Sequence, residues 1–158
     1  MTLVELIVAF SIFILLALAA ATLYSIMLKT SLQDRLVQEL QRDADGAAGH
    51  LSRHLKPASA VAAPTVCNAP NANALTVSLG GGQTRRYDLT DGQLRYTNES
   101  GQSDIILSPG TTVQGLSFFP TCEGGSLIAV QLDGSLHRSS GGESADLTLD
   151  TTITMRSQ

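Results

Sequence analysis

Tryptophan is absent, aromatic residues make up 4% of the chain, and only two cysteines, Cys67 and Cys122, occur. So few rings leave few platforms on which single-stranded bases could stack. Basic residues are not in excess either: ten Lys and Arg stand against fourteen Asp and Glu, for a formal net charge of −4. The imbalance is local. Residues 1–56 carry five groups of each sign, whereas residues 57–158 carry five basic and nine acidic ones. No basic face emerges, so no direct nucleic-acid partner is expected. Proline is missing before Pro57, and no charged residue lies between Glu5 and Lys29. Together these two absences allow one long helix with an apolar beginning.

What is present fits that allowance. From Leu3 to Leu28 the chain is apolar except for Glu5, Ser11, Thr22, Tyr24 and Ser25. About 20 apolar residues are enough to cross the hydrocarbon core as a helix. Past Lys29 the pattern turns amphipathic: Leu28, Leu32, Leu36, Leu40, Ala44, Ala47, Ala48, Leu51 and Leu55 keep one stripe, with Gln33, Asp34, Gln38, Glu39, Gln41 and Arg42 elsewhere. The reading is a continuous helix over residues 2–55, about 80 Å long at 1.5 Å per residue, with Lys56 as a cation at its C-terminus. Gly46 and Gly49 weaken it and are read as points of close packing.

Residues 57–74 hold three prolines and three asparagines and read as an irregular connection containing Cys67. Strands are expected at Leu75–Leu79, Gln83–Leu89, Gln93–Asn98, Asp104–Leu107, Thr112–Phe119, Leu127–Leu132 and Asp146–Met155. GGG at 80–82, DG at 91–92 and DG at 133–134 are read as hairpin turns, and Ser139–Ser144 as a flexible loop. The fold class is therefore α+β: a long N-terminal helix with a small antiparallel sheet domain packed on its C-terminal half. Three segments follow: an apolar helix over 1–28, its amphipathic continuation over 29–56, and a β domain over 57–158. If the β domain lies outside the cytoplasm, Cys67 and Cys122 form one disulfide; otherwise they are free core thiols.

The opening MTLVELIVAFSIFILLALAAA resembles the N-terminal methylation segment of type IV pilins and of the pseudopilins of type II secretion systems. Met1, Thr2, Leu3, Val4, Glu5 and Leu6 match that pattern position by position, and the match covers about the first 28 residues. The long helix followed by a small sheet extends the likeness more loosely, giving the lollipop shape of those proteins. The resemblance implies that a prepilin peptidase removes a leader, so that Met1 is the mature terminus and is N-methylated. It implies a protein held in the bacterial inner membrane before assembly. An assembly ATPase and a membrane platform protein then build it, with other copies or pilin-like subunits, into an extracellular pilus or a periplasm-spanning pseudopilus. The implied function is a structural filament subunit, with a minor pseudopilin as the alternative. Two positions depart from major pilins: Ile14 and Thr22 stand where Gly and Pro are usual, which favours a minor subunit.

Glu5 carries the mechanistic interest. A carboxylate at the bilayer centre costs about 2.5–3.5 kcal/mol on insertion scales, and less near an interface. One reading makes it a first-turn acid that favours the helix dipole. The resemblance implies another: Glu5 pairs with the protonated N-terminal amine at Met1 of an adjacent subunit, so that a buried charge is matched at one register only.

Weaker signals add little. His50 and His54 have an i, i+4 spacing that suits a metal, but no third ligand is evident, and no metal or cofactor is expected. They are read as solvated or interface histidines. His137 is read as a loop residue without a partner, and NES at 98–100 fits a glycosylation sequon. A secreted enzyme with a signal cleaved near Ala19–Ala21 is the rival class. It lacks a basic n-region and any visible nucleophile–base–acid set, so no enzymatic activity is expected.

Overall fold

The computed structural model describes residues 2–155. Helix α1 runs unbroken over Leu3–Leu55. The chain divides into two compact units between Arg35 and Leu36. In the first unit every described residue is exposed, whereas burial begins at Leu36.

In the second unit the helix buries Leu36, Leu40, Asp43, Ala44, Ala47, Leu51 and Leu55, steps of three and four that make one stripe. Leu40, Leu51 and Leu55 are at most 1% exposed, each worth about 1.5–3 kcal/mol of burial. Pro57 has no N–H to continue the helix, and the chain turns there through Ala58 N, which donates to Leu55 O at 2.8 Å. Gly46 and Gly49 have no neighbouring atom within 4 Å of where a Cβ would stand, so neither serves close packing as expected.

Among the described residues nine strands follow: β1 (Ala60–Val61), β2 (Asn71–Ala72), β3 (Ala74–Ser78), β4 (Thr84–Thr90), β5 (Gln93–Thr97), β6 (Ser103–Ile105), β7 (Thr111–Glu123), β8 (Ser126–Ser140) and β9 (Glu143–Thr154). They form two antiparallel sheets, not one. The first has the order β1-β3-β4-β5-β6 and the second β2-β7-β8-β9. Leu75, Val77, Tyr87 and Leu94 from the first sheet and Phe118, Val130, Leu132 and Leu136 from the second join the helix stripe in one core. Asn73, at φ 62°, sits between β2 and β3 and stitches the sheets. Its N donates to Leu116 O at 3.0 Å and its O accepts from Leu89 N at 2.7 Å.

Two turn expectations are overturned. Asp133-Gly134 is not a hairpin but the middle of β8, opposite a bulge in β7 between Gln114 and Ser117. A Cβ on Gly134 would stand 3.3 Å from Leu116 Cδ1, so glycine there serves a close approach of chains. The real reversal lies at Gly141-Gly142, inside the segment expected to be a flexible loop. Both glycines have positive φ, 62° and 84°, and Ser139–Ser144 and Ser140–Glu143 pair across them. That is a two-residue turn of the primed kind, whose twist suits the flanking strands. Strand β7 also runs past its expected end at Phe119, through Pro120. The Pro120 carbonyl accepts from Asn68 N at 2.7 Å, so its ring nitrogen faces that side and costs the β8 ladder nothing. The connection over 57–74, expected to be irregular, contributes β1 and β2.

Candidate functional site

Thr2 precedes α1, and its side chain and backbone meet those of Glu5. Thr2 N donates to Glu5 Oε2 at 2.8 Å, and Glu5 N donates to Thr2 Oγ1 at 3.4 Å. This is the reciprocal arrangement of a capping box, in which two orphan donors of the first turn are satisfied. Thr-Leu-Val-Glu carries the Ser/Thr-x-x-Glu signature, so the cap is legible in the sequence beside the dipole and pairing readings of Glu5. Met1 lies outside the described residues.

Beyond the cap, four hydroxyls of the first unit bond to carbonyls of the helix itself. Ser11 Oγ donates to Ile7 O at 2.8 Å, Thr22 Oγ1 to Ala19 O at 2.8 Å, Ser25 Oγ to Thr22 O at 2.8 Å and Thr30 Oγ1 to Ile26 O at 3.0 Å. These hydroxyls are satisfied within the helix, as hydrocarbon surroundings require. Apolar side chains point outward all round: Leu3, Phe10, Phe13, Leu15, Leu16 and Met27 are each at least 65% exposed. The helix is long and apolar enough to cross a membrane, and so large an exposed apolar surface is incompatible with bulk water alone. Ile14 and Thr22 lie inside the unbroken helix, with no loosening at either.

Cys67 and Cys122 are joined, with a Cα–Cα distance of 5.7 Å. The bridge ties the 57–74 connection to β7. Asn68, at φ 56°, reinforces it: Cys122 N donates to Asn68 Oδ1 at 2.9 Å, and Asn68 Nδ2 donates to Cys122 O at 3.2 Å. An asparagine accepts the left-handed conformation with less strain than most residues, and its amide mimics a strand partner.

A polar network that the sequence reading missed fastens α1 to the second sheet. Asp43 is 9% exposed. It accepts from Ser108 Oγ at 2.6 Å and from Thr111 Oγ1 at 2.5 Å. Arg138 Nη1 donates to Thr111 Oγ1 at 2.8 Å, and Arg138 Nε lies 2.8 Å from Glu39 Oε2. The available signal was position: Asp43 falls three residues after Leu40, on the buried stripe.

The histidines form a ring cluster against the first sheet. His50 and His54 stack with centroids 4.3 Å apart, and Tyr96 lies 4.9 Å from each. Tyr87 packs 5.1 Å from Tyr96. Burial pushes both histidines below their ordinary pKa. His54 and Arg53 add to this at His50, against Asp104; Arg85 and Arg53 add to it at His54, against Glu99. Burial likewise raises both tyrosines. Arg85 closes the helix end, Nη1 donating to His54 O at 2.9 Å and Nε to Glu99 Oε1 at 2.6 Å. Half-buried in this seam, the pair is not the solvated one expected as an option. Among the described residues no group of three His, Cys, Asp or Glu is placed to hold a metal ion. His137, expected in a loop, lies on β8, and its Nδ1 is 2.7 Å from Asp146 Oδ1 on β9.

Comparison with known protein families, curated proteins and solved structures returns no match to this chain.

Proposed function

We propose that this chain is a structural subunit of a type IV pilus-like filament, polymerising through the apolar helix over residues 3–28. One observation carries the reading: an unbroken helix, exposed and apolar all round, begins with a lone carboxylate at Glu5 and continues into a folded β domain. Such a surface needs lipid or other helices around it. Copies packed side by side would provide the second environment, and a lipid bilayer the first, before assembly. Within the bundle, Glu5 Oε2 serves the cap while the charge of the carboxylate faces the N-terminal amine of a neighbouring copy. The resemblance of MTLVEL to pilin and pseudopilin openings supplies the partners: a prepilin peptidase, an inner-membrane platform and an assembly ATPase. The proposed location is the bacterial inner membrane and then an extracellular pilus or periplasm-spanning pseudopilus. No enzymatic role is proposed.

A second reading, a minor pseudopilin, is favoured by one feature. The helix is continuous through Ile14 and Thr22, the positions where major pilins carry Gly and Pro. Electron microscopy of purified surface fibres, with subunit stoichiometry by quantitative mass spectrometry, separates the two. Fibres made mainly of this chain support the pilin. A trace component supports a minor subunit; absence from all surface fibres rejects the pilin, and the minor pseudopilin is rejected as well if the chain also fails to co-purify with other pilin-like subunits from the cell envelope.

A further inference from the structure

Strand β9 ends the second sheet, and among the described residues no strand pairs with its outer side. Its register with β8 is regular from Ser140–Glu143 to Ala129–Thr154. Met155 N donates to Ile128 O, so odd-numbered residues turn their backbone groups toward β8. Alternation then turns those of Ser144, Asp146, Thr148, Asp150, Thr152 and Thr154 to the open edge. All six are exposed. Edge strands are usually guarded by proline, charged side chains or a bulge; β9 has no proline, lysine or bulge over its 12 residues, and its outward charges are confined to Asp146 and Asp150.

The edge also has a floor. Ala48, Ser52 and Lys56 of α1 and residues 151–154 of β9 line a groove of about 310 Å³. At that end of the edge an added strand would lay its inward side chains over Ala48, Ser52, Ile153 and the threonines, with the Lys56 cation beside them favouring uncharged side chains there. On the outward face the only charged residues of β9 are Asp146 and Asp150, about 13 Å apart at the strand rise. They have polar contacts, His137 at 2.7 Å and Gln131 at 3.4 Å, yet no Lys or Arg lies on that row. A second copy of β9 is a poor occupant. Two-fold antiparallel ladders centred anywhere from residue 145 to 151, which include every one that uses the whole strand, put carboxylates opposite or diagonal to carboxylates, which is unfavourable.

We propose that the open edge of β9 is a docking site for an extended segment of a different polypeptide. This segment adds as a strand and carries Lys or Arg four residues apart on its solvent face, with small side chains on the other. Main-chain bonds to the six even-numbered residues supply the affinity, and Asp146 and Asp150 supply the choice of partner. The inference stands on the β domain alone, independent of how residues 2–35 assemble.

The test uses the full chain in zwitterionic detergent micelles at low salt. The probe is a short peptide of alternating Thr and Val, with Lys replacing two Thr four positions apart; its control has Glu at those positions. The Lys peptide should bind roughly tenfold more tightly, from two cross-strand charge pairs. Amide exchange measured by NMR should slow at residues 144, 146, 148, 150, 152 and 154. Asp150→Lys should remove most of the preference. Thr148→Pro, which deletes an outward N–H and no bond to β8, should abolish binding of both peptides. Equal or absent binding of the two peptides, protection that spares the even-numbered amides, or an unchanged preference in Asp150→Lys would each overturn the proposal. If Thr148→Pro unfolds, the exchange pattern and Asp150→Lys still decide it.

Discussion

Asp43 and Thr111, 68 positions apart in sequence, meet through a 2.5 Å hydrogen bond from Thr111 Oγ1 to Asp43 Oδ2. The contact joins α1 to the first residue of β7, and Arg138 of β8 completes it through Thr111. Removing the carboxylate leaves the buried Thr111 hydroxyl and the Ser108 hydroxyl short of an acceptor and takes from Arg138 an anion 3.8 Å away. Asp43→Ala should therefore lower stability by about 2–4 kcal/mol. Urea unfolding of the full chain in micelles, followed by near-ultraviolet circular dichroism, reads this as a lower midpoint. An unshifted midpoint would mean that the network contributes nothing net.

Leu51 makes the apolar counterpart of that contact. It is 1% exposed on the helix stripe, and Leu51→Ala should cost about 2–5 kcal/mol through lost burial and the cavity left behind. The same unfolding assay checks it. Leu32→Ala is the control: Leu32 is 42% exposed, and little change is expected.

The Cys67–Cys122 bridge spans a sequence separation of 55. Restricting the unfolded chain over that loop is worth about 4 kcal/mol in the chain-entropy account. The double Cys→Ser variant should lose about 2–4 kcal/mol, since Asn68 continues to hold the loop against β7. A loss well under 1 kcal/mol would place the stabilisation in Asn68 instead.

Acid should weaken the helix–sheet seam through His50 and His54. Both have folded-state pKa values below the ordinary 6.5, chiefly because burial disfavours the charged form. Between the lowered pKa and 6.5 the unfolded chain binds more protons than the folded one. Stability is then complete above about pH 6.5 and falls as pH drops beneath it. Glu99 is also held below its ordinary 4.5, by hydrogen bonds to its own backbone and to Arg85, so its contribution is lost only at still lower pH. Unfolding midpoints at several pH values from 7.5 to 5 should fall with acid, and His50→Gln with His54→Gln should flatten the dependence. An identical slope in the double variant would assign it to other groups.

Much of this architecture could be read from sequence, because its signals are local. The helix stripe depends on steps of three and four, and Pro57 marks its end. Local turn chemistry misled at Asp133-Gly134, where the dipeptide looks like a reversal but the glycine makes room for Leu116 across the sheet. It also misled at Gly141-Gly142, where composition suggested flexibility and the strands on both sides fix a tight turn. The division into two sheets is illegible in the sequence, since the junction at Asn73 rests on bonds to the distant Leu116 and Leu89, one on each sheet. Asp43, Ser108 and Arg138 likewise meet only after folding. For the candidate site, Glu5 is conspicuous in the sequence by its isolation, while its cap with Thr2 rests on a Thr-x-x-Glu spacing that many non-capping segments share.

That cap makes the central claim directly testable. Glu5→Gln preserves an acceptor for Thr2 N and removes the charge; Glu5→Ala removes both. Each variant should be produced in the native host, with the chain quantified in membranes and in sheared surface fibres. If the charge of Glu5 pairs with a neighbouring amine, both variants accumulate in the membrane and both lose the fibre-borne chain. Normal incorporation of Glu5→Gln would contradict that account and leave Glu5 as a helix cap alone.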